Sequence, residues 1–356
     1  MIHIIGGGLW GGLFAWILHH KRPEIDFTLY EMNDHLGGNH TWSFHKTDVS
    51  EENFRLIAPL ITKSWPHYKV QFPAYTRNVN LEYCSILSTD FDRVIRKTLP
   101  ESRIKLNTKA TPDQNDIVVD TSGKLFTAPC GYQKFVGLEL ELEEAHGLQG
   151  PILMDATVPQ IDGFRFIYVL PFDEKSLLIE DTRYSDSELI DNYRMKELIF
   201  DYARGKNWKV KNIIREEVGS LPIPLSETKR NFSGNVISLH HIFHDTTGYS
   251  LPDAVRILTA IAETDLTESS INKVLNQDAL VKSSQRRFFT LLNRFMFKAA
   301  AEKERYRPLE FFYRTSPKQI SKFYRGDMNL FDKLIFFAGK PPVSIKKAIN
   351  VIREDA

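Results

Sequence analysis

Two adjacent carboxylates, Glu180 and Asp181, close the apolar run Leu177-Leu-Ile179. Such a run reads as a strand. Successive strand residues point to opposite faces, so one carboxylate faces a cavity and the other faces away. A carboxyl in an apolar pocket has its charged form destabilised and its pKa raised, which makes it a proton donor near neutral pH. The plainer alternative is a solvated strand end in which Asp181 accepts from Thr182 or Arg183. The second constellation lies at the start of the chain. Gly6-x-Gly8-x-x-Gly11 follows the apolar run Met1–Ile5 and precedes Leu13–Leu18, a buried-helix pattern. In this order the first glycine permits the tight turn, the second lets backbone approach a pyrophosphate, and the third lets helix pack on strand. The helix dipole and the amide groups of its first turn then favour phosphate. Phe27-Thr-Leu-Tyr30 reads as a second strand, and Glu31 lies about 20 residues past the glycines, where a ribose-binding acid is expected.

The elements between and beyond these residues must position them. Gly37-Gly38 lets the backbone pass close to a bulky group. It opens the unusual string Gly-Gly-Asn-His-Thr-Trp-Ser-Phe-His45, whose histidines read as hydrogen-bonded structural residues rather than catalysts. Residues 70–72 and 79–84 alternate like half-buried strands, 90–99 has helical spacing with Asp90 placed to cap, and 116–120 is a short apolar strand. Residues 150–225 are mostly β, a meander suited to walling a cavity, with a helix over 189–206. The acidic run 139–144 reads as a solvated face. Late in the chain, the strand 234–239 leads through His240-His-Ile-Phe-His244-Asp245-Thr-Thr-Gly248 to a helix opened by Pro252 with Ser250 as cap. This second strand, glycine turn and helix suggests a cofactor held from both ends of the chain, with Gly248 at the contact. His240, His241 and His244 lack a carboxylate at metal-ligand spacing, so no metal is expected.

At 356 residues with 42% hydrophobic content the chain can bury a large core. Cys84 and Cys130 form no Cys-x-x-Cys, which points to a reducing, cytoplasmic compartment. No apolar run reaches membrane-spanning length. The net charge of +1 conceals a basic tail: residues 282–356 hold 17 Lys+Arg against 7 Asp+Glu, and ten of the 24 Phe. Phe288, Phe289, Leu291, Leu292, Phe295 and Met296 share one helical face. They read either as a cap on the core or as a basic, aromatic platform on a membrane surface. No nucleic-acid recognition motif accompanies the charge.

Several long strings make the chain resemble the bacterial flavin-dependent lycopene β-cyclase family nearly end to end. They are Gly6–Gly11, Gly37–His45, Pro151–Val158, Leu177-Leu-Ile-Glu-Asp-Thr182, Thr246-Thr-Gly-Tyr-Ser-Leu-Pro252 and Gly339-Lys-Pro-Pro-Val343. One departure is Asp245, where the family usually has proline after the histidine. The resemblance implies an α/β (α+β) flavoprotein similar to aromatic hydroxylases and geranylgeranyl reductases. Its expected division is a Rossmann-like FAD-binding domain over 1–65, 85–150 and 228–265, a β-rich substrate domain over 66–84 and 151–227, and a helical C-terminal cap over 266–356. It further implies reduced FAD kept reduced by NAD(P)H, lycopene and related carotenes as substrates, peripheral membrane attachment through the tail, and closure of ψ-ends to β-rings, giving β-carotene through γ-carotene, with no net redox change. The family's acid falls on Glu180, with Asp181 orienting or recharging it. Gly6, Gly8, Gly11, Glu31, Gly37, Gly38 and Gly248 are the expected cofactor contacts. The competing readings are an FAD/NAD(P)H-dependent reductase or hydroxylase of another isoprenoid, and a non-catalytic prenyl-lipid carrier.

Overall fold

The computed structural model describes residues 1–112, 116–123, 126–227, 230–239 and 242–336. His240, His241 and the Gly339–Val343 string lie outside the described residues. The N-terminal strand Ile2–Ile5 sits at the centre of a five-stranded parallel sheet, between Ile117–Asp120 and Phe27–Tyr30, with Val236–Ser238 and Ile104–Lys105 at the edges. A strand flanked on both sides and covered on both faces has to be apolar throughout, as Ile-His-Ile-Ile nearly is. His3, the exception, is bonded to Asp116 at 2.9 Å and to the Tyr30 hydroxyl at 3.1 Å. The helix Leu9–Lys21 follows at once. Its residues Leu13–Leu18 are buried, and it packs on the late helix Leu251–Ala262. The two ends of the chain thus build one layer around the glycine turn.

A second, seven-stranded sheet has the spatial order Val210–Pro224, Cys130–Leu142, Ser176–Ser185, Phe164–Pro171, Ile152–Asp155, Tyr68–Phe72, Tyr75–Val79. All its pairings are antiparallel except that of Ile152–Asp155 with Tyr68–Phe72. A small sheet of Thr41–His45, Tyr83–Leu87 and Lys63–Trp65 lies between the two. The strand Cys130–Leu142 corrects the expected division, which grouped it with the FAD-binding segment 85–150. Leu138-Glu-Leu-Glu-Leu142 has the period of a strand, not of a solvated acidic run. Leu138, Leu140 and Leu142 are buried on one face, and Glu139 is buried on the other. Asp90 likewise does not cap its helix, which begins at Ser88. Its carboxylate instead accepts from the Thr62 hydroxyl at 2.8 Å.

The two faces of the seven-stranded sheet have different partners. Val136, Leu138, Ile167, Val169, Leu177 and Ile179 face the helix Asn192–Gly205. Phe164, Phe166, Leu170, Leu178 and Tyr184 face the C-terminal helices. That assignment decides between the two readings of the tail. Phe288, Phe289, Phe295 and Met296 are buried, three of them in this second core. The aromatic stripe of Ser283–Arg294 is therefore a cap on the sheet and not a membrane platform: an apolar stripe beside an apolar sheet face is removed from water by packing on it. Among the described residues no helix is long and apolar enough to cross a membrane.

Candidate active site

The strand Ser176–Ser185 separates the two carboxylates as its pleat requires. Asp181 is fully buried on the helix-facing side, where Arg165 Nε reaches it at 2.8 Å and Arg183 Nε at 3.0 Å. It does not enter the cavity, so direct exchange of a proton with Glu180 is not open to it. That is a correction to its expected catalytic placing. Two arginines on a buried carboxylate compensate its desolvation, which makes Asp181 an anchor of the strand.

Glu180 faces the other way, into a cavity of about 390 Å³ walled by Trp42, Phe135, Met154, Phe166, Tyr168, Tyr184, Leu221, Tyr249 and Tyr324. Thr182 donates its hydroxyl to Glu180 Oε1. Burial pushes the Glu180 carboxyl up to about 8, and the nearby charge of Glu217 adds to the effect. The cross-strand register explains that second influence. Tyr168 stands opposite Glu180, Glu180 opposite Gly137, and Gly137 opposite Glu217. Residues directly opposite share a face, so these four form one row across the cavity floor. Glu217 is 3% exposed. Its Oε2 accepts from Arg215 Nη1 at 2.8 Å and from Thr41 Oγ1 at 3.1 Å. Arg215 in turn donates to Glu139 Oε2 at 3.0 Å and to Asn39 Oδ1 at 3.0 Å. The unusual Asn-His-Thr-Trp segment thus clamps one wall of the site. Sequence reading missed Glu217 and Arg215. The alternating Arg215-x-Glu217-x-Gly219 is a visible strand pattern, but nothing in it names the facing partner.

From Tyr168, at one end of that row, runs a chain of hydroxyls. Tyr168 OH donates to Ser43 Oγ at 2.9 Å, and Tyr83 OH lies 3.1 Å from Tyr168 OH and 2.5 Å from Tyr249 OH. Each buried phenol is satisfied by another, and burial holds all three well above the usual phenol range, so they stay neutral. His45 is sealed below these hydroxyls, with Nδ1 3.2 Å from Asp48 and Nε2 3.1 Å from Tyr68 OH. Sequence reading overlooked Asp48, three residues on, as the partner that gives His45 its structural role. His244 is buried too. Its Nε2 bonds the Phe323 carbonyl at 2.9 Å, and its backbone carbonyl closes the turn onto Gly248 N at 2.9 Å. Burial lowers its imidazole to about 4, so the ring is neutral. Asp245 leaves that turn intact; it is buried against Arg230 at 3.7 Å, and its carbonyl accepts from Asn293. Among the described residues no cluster of His, Cys, Asp and Glu has the makings of a metal site.

The glycine loops lie beside this cavity. Gly37 N donates to the Gly7 carbonyl at 2.8 Å, and a side chain on Gly37 would touch Trp42. Gly6, Gly37, Gly38 and Gly248 all have positive φ. Gly248 also lines the cavity, where the helix Leu251–Ala262 begins. A Cβ on Gly11 would stand 1.9 Å from the Gly6 carbonyl oxygen, whereas a Cβ on Gly8 would meet no atom within 4 Å. Gly11 therefore serves the fold, and Gly8 borders open space at the helix N-terminus. Glu31 Oε2 accepts from Gly7 N at 2.7 Å, and Oε1 accepts from Asn33. A carboxylate oxygen with one donor keeps a lone pair for a hydroxyl. A glycine cradle open to a ligand at Gly8, a helix N-terminus and an adjacent acid fit a dinucleotide.

The fold is the one found in FAD-dependent monooxygenases and geranylgeranyl reductase-like proteins. A geranylgeranyl bacteriochlorophyll reductase-like structure from Thermoplasma acidophilum superposes with a TM-score of 0.57 at 12% identity, covering 99% of this chain and 96% of the other. A probable FAD-dependent monooxygenase from Pseudomonas aeruginosa gives 0.56 at 13% identity, covering 83% and 95%. Within that class the sequence is specific. The family described as lycopene cyclase protein matches residues 2–350. The lycopene beta-cyclase of Pseudescherichia vulneris is 37% identical, over 97% of this chain and 95% of its own. That of Pantoea ananas is 36% identical, over 98% and 97%. The chain belongs to the lycopene cyclase family.

Proposed function

We propose that this protein is a lycopene β-cyclase that closes the ψ-ends of lycopene to β-rings, giving β-carotene through γ-carotene, with Glu180 as the initiating acid. The observation that carries this reading is a buried carboxyl, Glu180, on the floor of an aromatic-walled cavity, where its desolvation favours the protonated form. Glu180 donates its proton to the terminal double bond and creates a tertiary cation. The neighbouring double bond attacks it and closes a six-membered ring, and loss of the ring-junction proton completes the β-ring. The aromatic wall excludes nucleophilic water and turns π faces toward the cation. Gly8 and Glu31, on the turn that Gly6 and Gly11 shape, would hold the adenosine diphosphate part of FAD, and Gly37, Gly38 and Gly248 would border the cofactor nearer the cavity. A reduced FAD bound there, kept reduced by NAD(P)H, would supply electron density that favours a neighbouring cation. The reaction is tested anaerobically with FAD, dithionite and lycopene in vesicles, followed by chromatography with mass detection. A product of unchanged mass and shifted spectrum supports cyclisation. A product two hydrogens heavier means a reductase, and lycopene bound but unchanged means a carrier.

The raised carboxyl sets the pH dependence. Glu180 must be protonated to act, so turnover is expected to be flat below its pKa and to fall as pH rises through about 8, tenfold per unit beyond it. The folded chain then binds a proton that the unfolded chain releases near 4.5, so this group also withdraws stability as pH rises between those values. A pH–rate profile with no descending alkaline limb would contradict the acid role.

We place membrane contact on residues other than the aromatic stripe. Leu280 and Val281 end one helix, while Leu330, Phe331 and Leu334 lie on Leu330–Ile335, and all five are exposed, Phe331 by 72%. Lys333 Nζ bonds Ser284 at 3.0 Å and Gln285 bonds the Met328 carbonyl, which brings the two groups to one corner. Arg287 and Lys333 add positive charge there. Each such side chain contributes about 1.5–3 kcal/mol when buried. Serine at both Leu330 and Phe331 is therefore expected to weaken co-sedimentation with phosphatidylserine-containing vesicles by at least about tenfold. Unchanged partitioning would remove this corner from the interface.

A further inference from the structure

The mechanism above leaves one proton unassigned: the one lost from the ring junction. We propose that Glu217 is the base that takes it, and that it hands the proton back to Glu180 across Gly137. This rests on the reading of the protein as a lycopene β-cyclase.

Three observations carry it. First, Glu180 and Glu217 are both register partners of Gly137, on the cavity face, from strands either side of it. They are the two carboxylates in the cavity wall. Second, the residue between them has no side chain. A Cβ on Gly137 would stand 2.9 Å from Glu217 Cγ and 3.3 Å from its Oε1. The space left by that missing side chain is where the Glu217 carboxylate leans. Third, the two oxygens of Glu217 differ. Oε2 is bound by Arg215 and Thr41, while Oε1, the oxygen over Gly137, accepts no hydrogen bond from the described residues. Arg215 stands against the carboxylate as counter-ion and is itself braced by Glu139 and Asn39. One carboxyl on this floor thus stands among apolar and phenolic side chains, and the other stands against an arginine at 2.8 Å. Two carboxyls in such unlike surroundings are suited to the separate roles of acid and base.

The proton inventory closes without an external oxidant or reductant. Glu180 gives its proton to C2 of the ψ-end, and the electron pair of the C1=C2 double bond forms the new C–H bond. The C5=C6 pair forms the C1–C6 bond and leaves the positive charge on C5. The C6–H bond breaks, its pair becomes the new C5=C6 double bond, and Glu217 receives the proton. Transfer from Glu217 to Glu180 over Gly137 restores both groups for the second end. The same cation could lose its proton from C4 or from the methyl on C5 instead, giving isomers of equal mass. A base fixed at one side of the ring selects C6, so Glu217 also determines which ring is made.

The test uses the whole protein with FAD, dithionite and lycopene-loaded phosphatidylcholine vesicles in deuterium oxide, wild type beside Glu217→Gln. Glutamine keeps the shape and cannot take the proton. The expected result is β-ring formation slowed by about a hundredfold or more. It should be accompanied by equal-mass products with a 4,5 or exocyclic double bond, or by deuterium washed into the ends of recovered lycopene. Either signature means that protonation still occurs and that deprotonation has lost its direction, which loss of packing alone does not produce. β-Carotene formed at the wild-type rate overturns the proposal. So does the absence of both signatures, with recovered lycopene free of deuterium and no isomeric rings beside it, since Glu217 would then act before proton transfer. Should Glu217→Gln fail to fold, as judged by circular dichroism, Glu217→Asp retains the carboxylate at a shorter reach and is scored by the same two signatures. Wild-type protein that leaves lycopene unchanged overturns the cyclase reading and this proposal with it. β-Carotene from wild type alongside either contrary result for the variant overturns only the role of Glu217.

Discussion

Glu180→Gln is expected to abolish ring closure while the protein folds and retains flavin. Glutamine occupies the same volume and can still bond Thr182, so the strand Ser176–Ser185 keeps its place between its two neighbours. What it lacks is an acidic proton. General acids contribute about two to four orders of magnitude to a rate. Here the expected loss lies at or beyond the upper end, because protonating an isolated double bond has no slow alternative once water is excluded. The substitution also removes a desolvated carboxyl, so the variant should be no less stable than the wild type above pH 8 and its residual rate should lose the alkaline limb. Product analysis beside a flavin absorbance spectrum checks both halves. Wild-type turnover in Glu180→Gln would remove this residue from the acid role, and loss of flavin with turnover would mark it as a structural residue.

The same substitution three residues apart is expected to give opposite results in the glycine turn. Gly11→Ala places a methyl 1.9 Å from the Gly6 carbonyl oxygen and 2.8 Å from the Thr121 hydroxyl. That oxygen belongs to the turn directly after the central strand Ile2–Ile5, where the Thr121 hydroxyl also donates to it, and it cannot retreat without separating helix from strand. Destabilisation of at least about 3 kcal/mol is expected, a large share of the 5–15 kcal/mol typical of a folded chain. Gly8→Ala meets nothing within 4 Å, and its extended backbone at φ −67° accepts alanine without strain. Its thermal midpoint without cofactor should match the wild type, while its affinity for FAD should fall about tenfold or more, because the methyl enters the space a pyrophosphate would take. Thermal melts without flavin and a fluorescence titration with FAD separate the two effects. Equal FAD affinity in Gly8→Ala would refute the cradle.

Much of this was open to reading from the sequence because it rests on local geometry. A glycine at the start of a helix, an apolar run with period two and an acid at the end of a strand are each set by backbone sterics within a few residues. Gly11 accordingly packs on Gly6, and Glu31 bonds the amide of Gly7 in the same turn. The separation of Glu180 from Asp181 onto opposite faces follows from the pleat alone, and so does the fact that only one of them can reach a cavity.

Which one does so is a tertiary matter. The pleat says nothing of where the helix Asn192–Gly205 lies, and that helix, with Arg165 and Arg183, is what claims Asp181. The aromatic stripe of the tail could be seen, but not what covers it, since an apolar helix face is removed from water equally well by lipid or by a sheet. Glu217 could not be found at all by local reading. It lies 37 residues beyond Glu180 and 80 beyond Gly137, and only the registers of two antiparallel pairings set all three in one row. The sequence by itself determined the glycine turn, the acid on its strand and the family. The tertiary structure decided which carboxylates face the cavity, which of them an arginine holds and which stand in one row, because pairing register and burial depend on segments too distant in the chain for any local pattern to encode.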